Sequence, residues 1–286
     1  MTVLIHRNTL SDLAAGRATL PASARSPLNR CNLPSVILGS LTFQMQPIEL
    51  QLDSVLPLNR QLFAALDRLD SPEERGLHFR QYMSSAFLLD QVEEAGFDPA
   101  SQRRKRAKAD YLRLLRGWMF NPDGIEAAVL KRWVESRFGL LTRYHGGLLK
   151  DYEDASYAAY QADVARGLYN ANALESQLDL LYTYCQYELA RRWPEKHHWL
   201  LYRGVNNIPD RDRLAQGEEG AELLLLNNLN SFSSDRELAG SFGDWILETR
   251  VPTAKLLYFP DLLPNILKGE EEYLVIGGVY RTYLQR

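Results

Sequence analysis

Pro194 separates two stretches of the chain with different hydrophobic periods. Before it, over roughly residues 57–193, apolar side chains recur at three- and four-residue spacing. Leu62, Leu66 and Leu69 share one face, as do Ile125, Val129 and Trp133, and Leu174, Leu178, Leu181 and Cys185. That is the spacing of helices with one buried side. Breaks fall at "DSPEERG", "GFDPAS", "FNPDG" and "YHGG", all rich in turn-forming residues. Proline disfavours the helical conformation in the residue before it, so the last long helix is expected to end at Trp193. After Pro194 the apolar runs shorten to strand length: "HHWLLYRGV", "AELLLLNNLNSFSS", "DWILETRVP", "AKLLYFP" and "EEYLVIGGVYRTYL", separated by Pro, Asp and Gly. No internal repeat occurs. The expectation is an α+β chain, with a mainly helical region over 1–194 for partner docking and support of the site, and a strand-rich catalytic core over 195–286. Residues 1–30 read as loop, and "LPSVILGSLTF", apolar and partly β-branched, reads as a short buried strand or extended segment.

Charge narrows the partners. With 33 Lys and Arg against 36 Asp and Glu, the 286-residue chain carries a formal net charge of −3. That supplies no global attraction to nucleic acid or membrane. The local basic run "RRKRAK", residues 103–108, is followed by Tyr111, Leu112, Leu115 and Trp118 at helical spacing. It reads as the solvated start of a helix, with a docking surface for an acidic partner as the alternative. The two cysteines, Cys31 and Cys185, lie too far apart for a metal motif and make no disulfide framework. His and Arg interrupt the apolar start of the chain, unlike a secretory leader. No window reaches the ~18 apolar residues of a membrane span. These features imply a cytoplasmic protein.

Several familiar site patterns are missing. There is no G-x-G-x-x-G, no phosphate-binding G-x-x-x-x-G-K-[ST] and no H-E-x-x-H. His197 and His198 are adjacent, so on a strand they face opposite ways and make a poor metal pair. "AGSFG", around Ser241, lacks the preceding strand and the later histidine that a hydrolase nucleophile turn needs.

Three segments of the strand-rich part carry chemistry when taken together. In "LLYRGVNN", Arg203 interrupts an apolar strand. An inward guanidinium is costly unless it meets an anion, and its forked donors suit phosphate; alone, it is equally an edge-strand surface residue. In "NSFSSDRELAGSFG", Ser231 and Ser233 end a strand, with both hydroxyls on one face and Phe232 on the other. Ser234-x-x-Glu237 matches a capping box, so a helix is expected to start there, and capping alone would also explain the serines. In "KGEEEYLVIGG", Glu270 and Glu272 project to one face of a strand, roughly 6.6 Å apart from two rises of about 3.3 Å. Two such carboxylates could serve different parts of one substrate, although a charged turn has the same composition.

In this order, Arg in an aromatic-flanked strand, Ser-x-Ser before a helix and Glu-x-Glu entering a late strand resemble the arginine-specific mono-ADP-ribosyltransferases. The likeness is tighter to the dinitrogenase reductase ADP-ribosyltransferases, which switch off nitrogenase in some nitrogen-fixing bacteria. It runs over most of the chain, with Phe232 standing where Thr is commoner in the wider family. The resemblance implies a C-terminal β-sandwich of the ADP-ribosyltransferase type, NAD as co-substrate and no metal. It implies dinitrogenase reductase as protein substrate and a PII-type nitrogen-signalling protein as controller. It implies that Arg203 binds an NAD phosphate, that backbone groups at Gly204 receive the nicotinamide amide, and that Ser233 and Phe242 line the dinucleotide. Ser231 would orient Glu272, Glu272 would stabilise the oxocarbenium-like transition state, and Glu270 would position and deprotonate the acceptor guanidinium. The segment 259–269 would recognise the target protein. A plain NAD glycohydrolase and a non-catalytic binding module on the same fold are the alternatives.

Overall fold

The computed structural model describes residues 19–90, 109–169, 171, 173–267 and 271–286. The basic run at 103–108, the break at 96–101 and Glu270 lie outside the described residues. Helices come first: α1 (Ser35–Leu38), α2 (Leu41–Met45), α3 (Val55–Leu58), α4 (Arg60–Leu66), α5 (Pro72–Ala86), α6 (Tyr111–Phe120), α7 (Ile125–Phe138), α8 (Ala155–Leu168) and α9 (Leu174–Arg192). Strands β1 (His198–Val205), β2 (Arg213–Gln216), β3 (Ala221–Ser233), β4 (Trp245–Pro252), β5 (Leu256–Tyr258) and β6 (Glu272–Gln285) follow, with helix α10 (Arg236–Gly240) between β3 and β4. The chain is thus mixed helix and strand, helices first.

Segment 33–43 differs from the expected strand: it forms α1 and α2. Pro34 sits at the N-cap of α1, and the Ser40 hydroxyl accepts a bond from the Phe43 amide to cap α2. These local caps outweigh the β preference of Val36 and Ile37. At "DSPEERG" the break is the start of α5: Ser71 caps it and Pro72 occupies its first turn, where a missing N–H costs nothing. Trp193 ends α9, as expected next to Pro194.

All strand pairings are antiparallel, in the order β2-β3-β1-β4-β6-β5, and β3 also pairs with β6. The strands β3, β1, β4 and β6 therefore close into a small ring within one hydrogen-bonded sheet, where the sequence reading had a sandwich. Two long strands make the closure possible by bending. The β3 register shifts between Leu226 and Leu229, opposite Gly277 and Gly278. A Cβ on Gly277 would lie 1.7 Å from the Asn227 carbonyl oxygen, and Gly278 has φ +119°, so both positions need glycine. The two asparagines at the bulge tie it to the helices. Asn228 Nδ2 donates to the carbonyls of Lys131 and Leu140, and Asn227 Oδ1 accepts from the Arg143 amide at 2.9 Å.

Helices and strands share one core. Leu174, Leu178, Leu181, Cys185 and Leu189 of α9 are buried in the same apolar cluster as Leu256 and Leu257, and Trp118 belongs to it. Several polar groups in this core are paired. The Arg75 guanidinium clasps Glu188 through Nε–Oε1 at 2.6 Å and Nη2–Oε2 at 3.0 Å. Gln44 of α2 donates to Thr249 Oγ1 and accepts from the Arg281 amide, filling the place where β4 and β6 part. Among the described residues no helix is long and apolar enough to cross a membrane.

Lys255 is fully buried, with Nζ bonded to the Gly277 carbonyl at 2.8 Å and lying over the Tyr280 ring at 4.7 Å. Burial pushes its ammonium down to about 7. The unfolded chain binds the extra proton above that value, so stability rises with pH from about 7 towards the ordinary lysine range. Near the middle of that window the slope is about 1.4 kcal/mol per pH unit. Lys255→Met should raise stability at pH 7 and flatten this rise. Urea midpoints measured from pH 6.5 to 10 check it; parallel curves for the two proteins would contradict it.

Candidate active site

Strand alternation carries Arg203 inward. Trp199, Leu201 and Arg203 share one face of β1, and the first two are buried. Arg203 pairs across the ladder with Leu247 of β4, and its Nη1 donates to the Ser231 carbonyl at 2.9 Å. Burial pushes the guanidinium down, while the carboxylates of Glu272 and Asp123 hold it up. The forked donors of a guanidinium suit an anion.

The β3–β6 register brings in the other groups. Ser233 lies opposite Glu272, and Ser231 opposite Leu274. Ser231 is therefore the diagonal neighbour of Glu272, within reach of its side chain. The Ser231 hydroxyl donates to Glu272 Oε1 at 2.5 Å, and Glu272 is buried. Ser233 does not join this bond; its Oγ accepts from the Asp235 amide at 3.0 Å. Nor does helix α10 begin as the capping box suggested. Its N-cap is Asp235, whose carboxylate accepts from the amides of Glu237 and Leu238, and an ionised cap suits a helix N-terminus. Ser234 is thereby released to donate to Glu271 at 2.8 Å.

These residues line a cleft of about 700 Å³ between the helices and the sheet. Arg203, Gly204, Ser231, Ser233, Phe242 and Glu272 all border it; Glu270 lies outside the described residues. Phe242, 56% exposed, stands on the turn after α10. That turn packs backbone to backbone on β1: a Cβ on Gly204 would lie 2.1 Å from the Ala239 carbonyl oxygen, and one on Gly243 2.4 Å from the Val205 amide nitrogen. The segment expected to meet a target protein, 259–269, begins with Phe259, Leu262 and Leu263 buried in the core; Asn265 is exposed and 268–270 lie outside the described residues.

Sequence reasoning missed the groups that the helices contribute. Trp118 of α6, read only as part of a buried helical face, donates from Nε1 to Ser231 Oγ at 2.9 Å and to Glu272 Oε1 at 3.1 Å. Lys131 of α7 borders the cleft with Asp123; its ammonium bonds Asp123 at 3.0 Å and the Tyr144 carbonyl at 3.0 Å. Burial lowers the Lys131 ammonium and Asp123 supports it. Two apolar-faced helices, one with a tryptophan and the next with a lysine at an inward position, were the available signal. Elsewhere, His198 Nε2 contacts the Gln44 carbonyl oxygen, and the Ser241 hydroxyl bonds the Leu238 carbonyl. Among the described residues no group of three or more His, Cys, Asp or Glu side chains could hold a metal.

A braced carboxylate and a half-buried guanidinium in one cleft suit cleavage of a glycosidic bond in an anionic substrate. The acid can face the positive charge that develops at the sugar carbon, while the guanidinium takes a phosphate. The chain belongs to the dinitrogenase reductase ADP-ribosyltransferase family, whose model matches residues 28–284. It is 39% identical over 254 residues to the NAD(+)–dinitrogen-reductase ADP-D-ribosyltransferase of Rhodospirillum rubrum, covering 88% of this chain and 92% of that protein. No solved structure matches the chain.

The close approach at Gly204 yields a test of the architecture. Gly204→Ala should push the turn bearing Phe242 away from β1, costing about 1–3 kcal/mol of stability as overpacking does. NAD binding, followed by calorimetry on the folded variant, should weaken. Unchanged melting and unchanged binding together would contradict it.

Proposed function

We propose that this protein transfers ADP-ribose from NAD to an arginine of dinitrogenase reductase, as a protein-arginine mono-ADP-ribosyltransferase that switches off nitrogen fixation. The observation that carries the reading is the meeting of Arg203, Ser231 and Glu272 at one cleft wall, from three separate strands. The relative's name supplies the donor and the acceptor protein. Both cysteines are free and buried, which fits work in a reducing cytoplasm. The division into a supporting region, 1–194, and a catalytic core, 195–286, belongs to the same proposal. So does the sandwich of the ADP-ribosyltransferase type, with the bends at Asn227–Asn228 and Gly277–Gly278 letting the closed sheet present two facing halves. Control by a PII-type signalling protein is likewise part of it.

The chemistry follows from charge. When the bond from ribose C1′ to the nicotinamide nitrogen breaks, its electron pair leaves with the nitrogen and nicotinamide departs neutral. Positive charge gathers on C1′ and the ring oxygen. Glu272, held by Ser231, faces that charge and lowers the barrier electrostatically. Arg203 holds a phosphate of the donor, and its donors are suited to that task because Ser231 O is the hydrogen-bond acceptor it has among the described residues. Gly204, Ser233 and Phe242 border the dinucleotide. A guanidinium nitrogen of the target arginine then bonds to C1′ and loses one proton. An arginine is charged in water, so a carboxylate must attract it and take that proton, the role assigned to Glu270. No metal enters the scheme.

Incubation with labelled NAD and dinitrogenase reductase should label that protein and release nicotinamide in equal amount. Nicotinamide release without labelled protein would favour a glycohydrolase; no cleavage at all would favour a binding module. Glu272→Ala should cut turnover at least about a hundredfold, and near wild-type turnover would remove its role. Glu270→Ala should abolish labelling of protein while sparing part of NAD hydrolysis. Equal loss of both would show that the two acids do not divide the work.

A further inference from the structure

Trp118 reaches the proposed site from a helix more than a hundred positions away in sequence, and its indole bonds the two groups that sit closest to the chemistry. It lies near the end of α6 and is 2% exposed. Its Nε1 is 2.9 Å from Ser231 Oγ and 3.1 Å from Glu272 Oε1.

An indole N–H can only donate. Ser231 Oγ must therefore accept from it, and the serine proton is left to point at Glu272 Oε1, the oxygen 2.5 Å away. The indole thus reinforces the hydroxyl rotation that the carboxylate favours, and its single N–H is shared with the same carboxylate oxygen. Two donors on one oxygen fix the plane of the carboxylate, and hydrogen bonds to an ionised group are the stronger kind.

The indole is itself held firmly. The Lys131 ammonium lies 5.7 Å from its ring centre. The Tyr111 amide donates to Gln177 Oε1 at 3.0 Å, tying the start of α6 to α9. Gly117, next to Trp118, packs directly against α7; a Cβ there would lie 2.4 Å from Glu126 Cβ. These three contacts come from helices, so the helical region supplies a working part of the site.

We propose that Trp118 is a positioning residue for ADP-ribose transfer, acting through the Ser231 hydroxyl and Glu272 Oε1. The proposal rests on the reaction assigned above. It adds that the N–H itself, more than the bulk of the ring, is what turnover needs.

Two variants separate donor from bulk. Trp118→Phe keeps an aromatic ring; replacement of Trp118 by β-(3-benzothienyl)alanine keeps the full bicyclic shape and removes only the N–H. Each is examined by circular dichroism and thermal melting, then by steady-state turnover of NAD with dinitrogenase reductase. The expected result is a fall in kcat of about tenfold to a hundredfold in both variants, with KM for NAD changed by less than about threefold. Combining Trp118→Phe with Ser231→Ala should cost less than the product of the two single losses, because both act on the same oxygen. Wild-type kcat in the folded benzothienyl protein would overturn the proposal, as would a raised KM with kcat intact. If Trp118→Phe fails to fold, the isosteric replacement decides. Absence of turnover in the unaltered protein would instead overturn the assigned reaction, and this role with it.

Discussion

The antiparallel pairing of β3 with β6 is the contact on which the site depends. Each strand is long enough to pass from one part of the closed sheet to the other, and their mutual register sets Ser231 diagonally across from Glu272. A slip of one residue would put the two side chains on opposite faces. The bulge at Asn227 and Asn228 pins the register, because its two amide side chains bond backbone groups at Lys131, Leu140 and Arg143. The ladder is therefore fixed from outside as well as by its own hydrogen bonds.

Around this ladder, electrostatics and packing act together. Arg203 is drawn inward by strand alternation and is tolerated because carboxylates stand near it. Lys131 is tolerated because Asp123 and a backbone carbonyl take its protons' bonds. Both cations border the same cleft. An anionic substrate entering it would replace water around groups that the fold has already partly dehydrated, which strengthens each contact.

Much of the fold was legible because periodicity reports burial. The face of Leu174, Leu178, Leu181 and Cys185 is buried as its spacing implied, and the runs read as strands became β1, β3, β4, β5 and β6. The short strand β2 escaped notice, since Arg213–Gln216 is an edge with no buried residue to mark it. Segment 33–43 was misread because composition alone does not weigh a proline and a serine cap against β-branched residues. At the candidate site, Arg203, Ser231 and Glu272 stood out only when their three segments were taken together. Trp118 did not, because a buried aromatic on a helix looks the same whether its partner is a leucine or a carboxylate. Only the three-dimensional approach of positions 113 and 154 residues apart distinguishes them.

The apolar faces of α9 and of β5 complete one another, with Cys185 and Gln186 also reaching the Leu256 carbonyl. The strand-rich part consequently has no water-facing skin on that side. Cut free at Pro194, it would present Leu256, Leu257 and Phe259 as a bare hydrophobic seam, a surface that draws chains into aggregates. The minimal unit that could be grafted, shuffled or inherited as a working catalyst is then the pair of regions together.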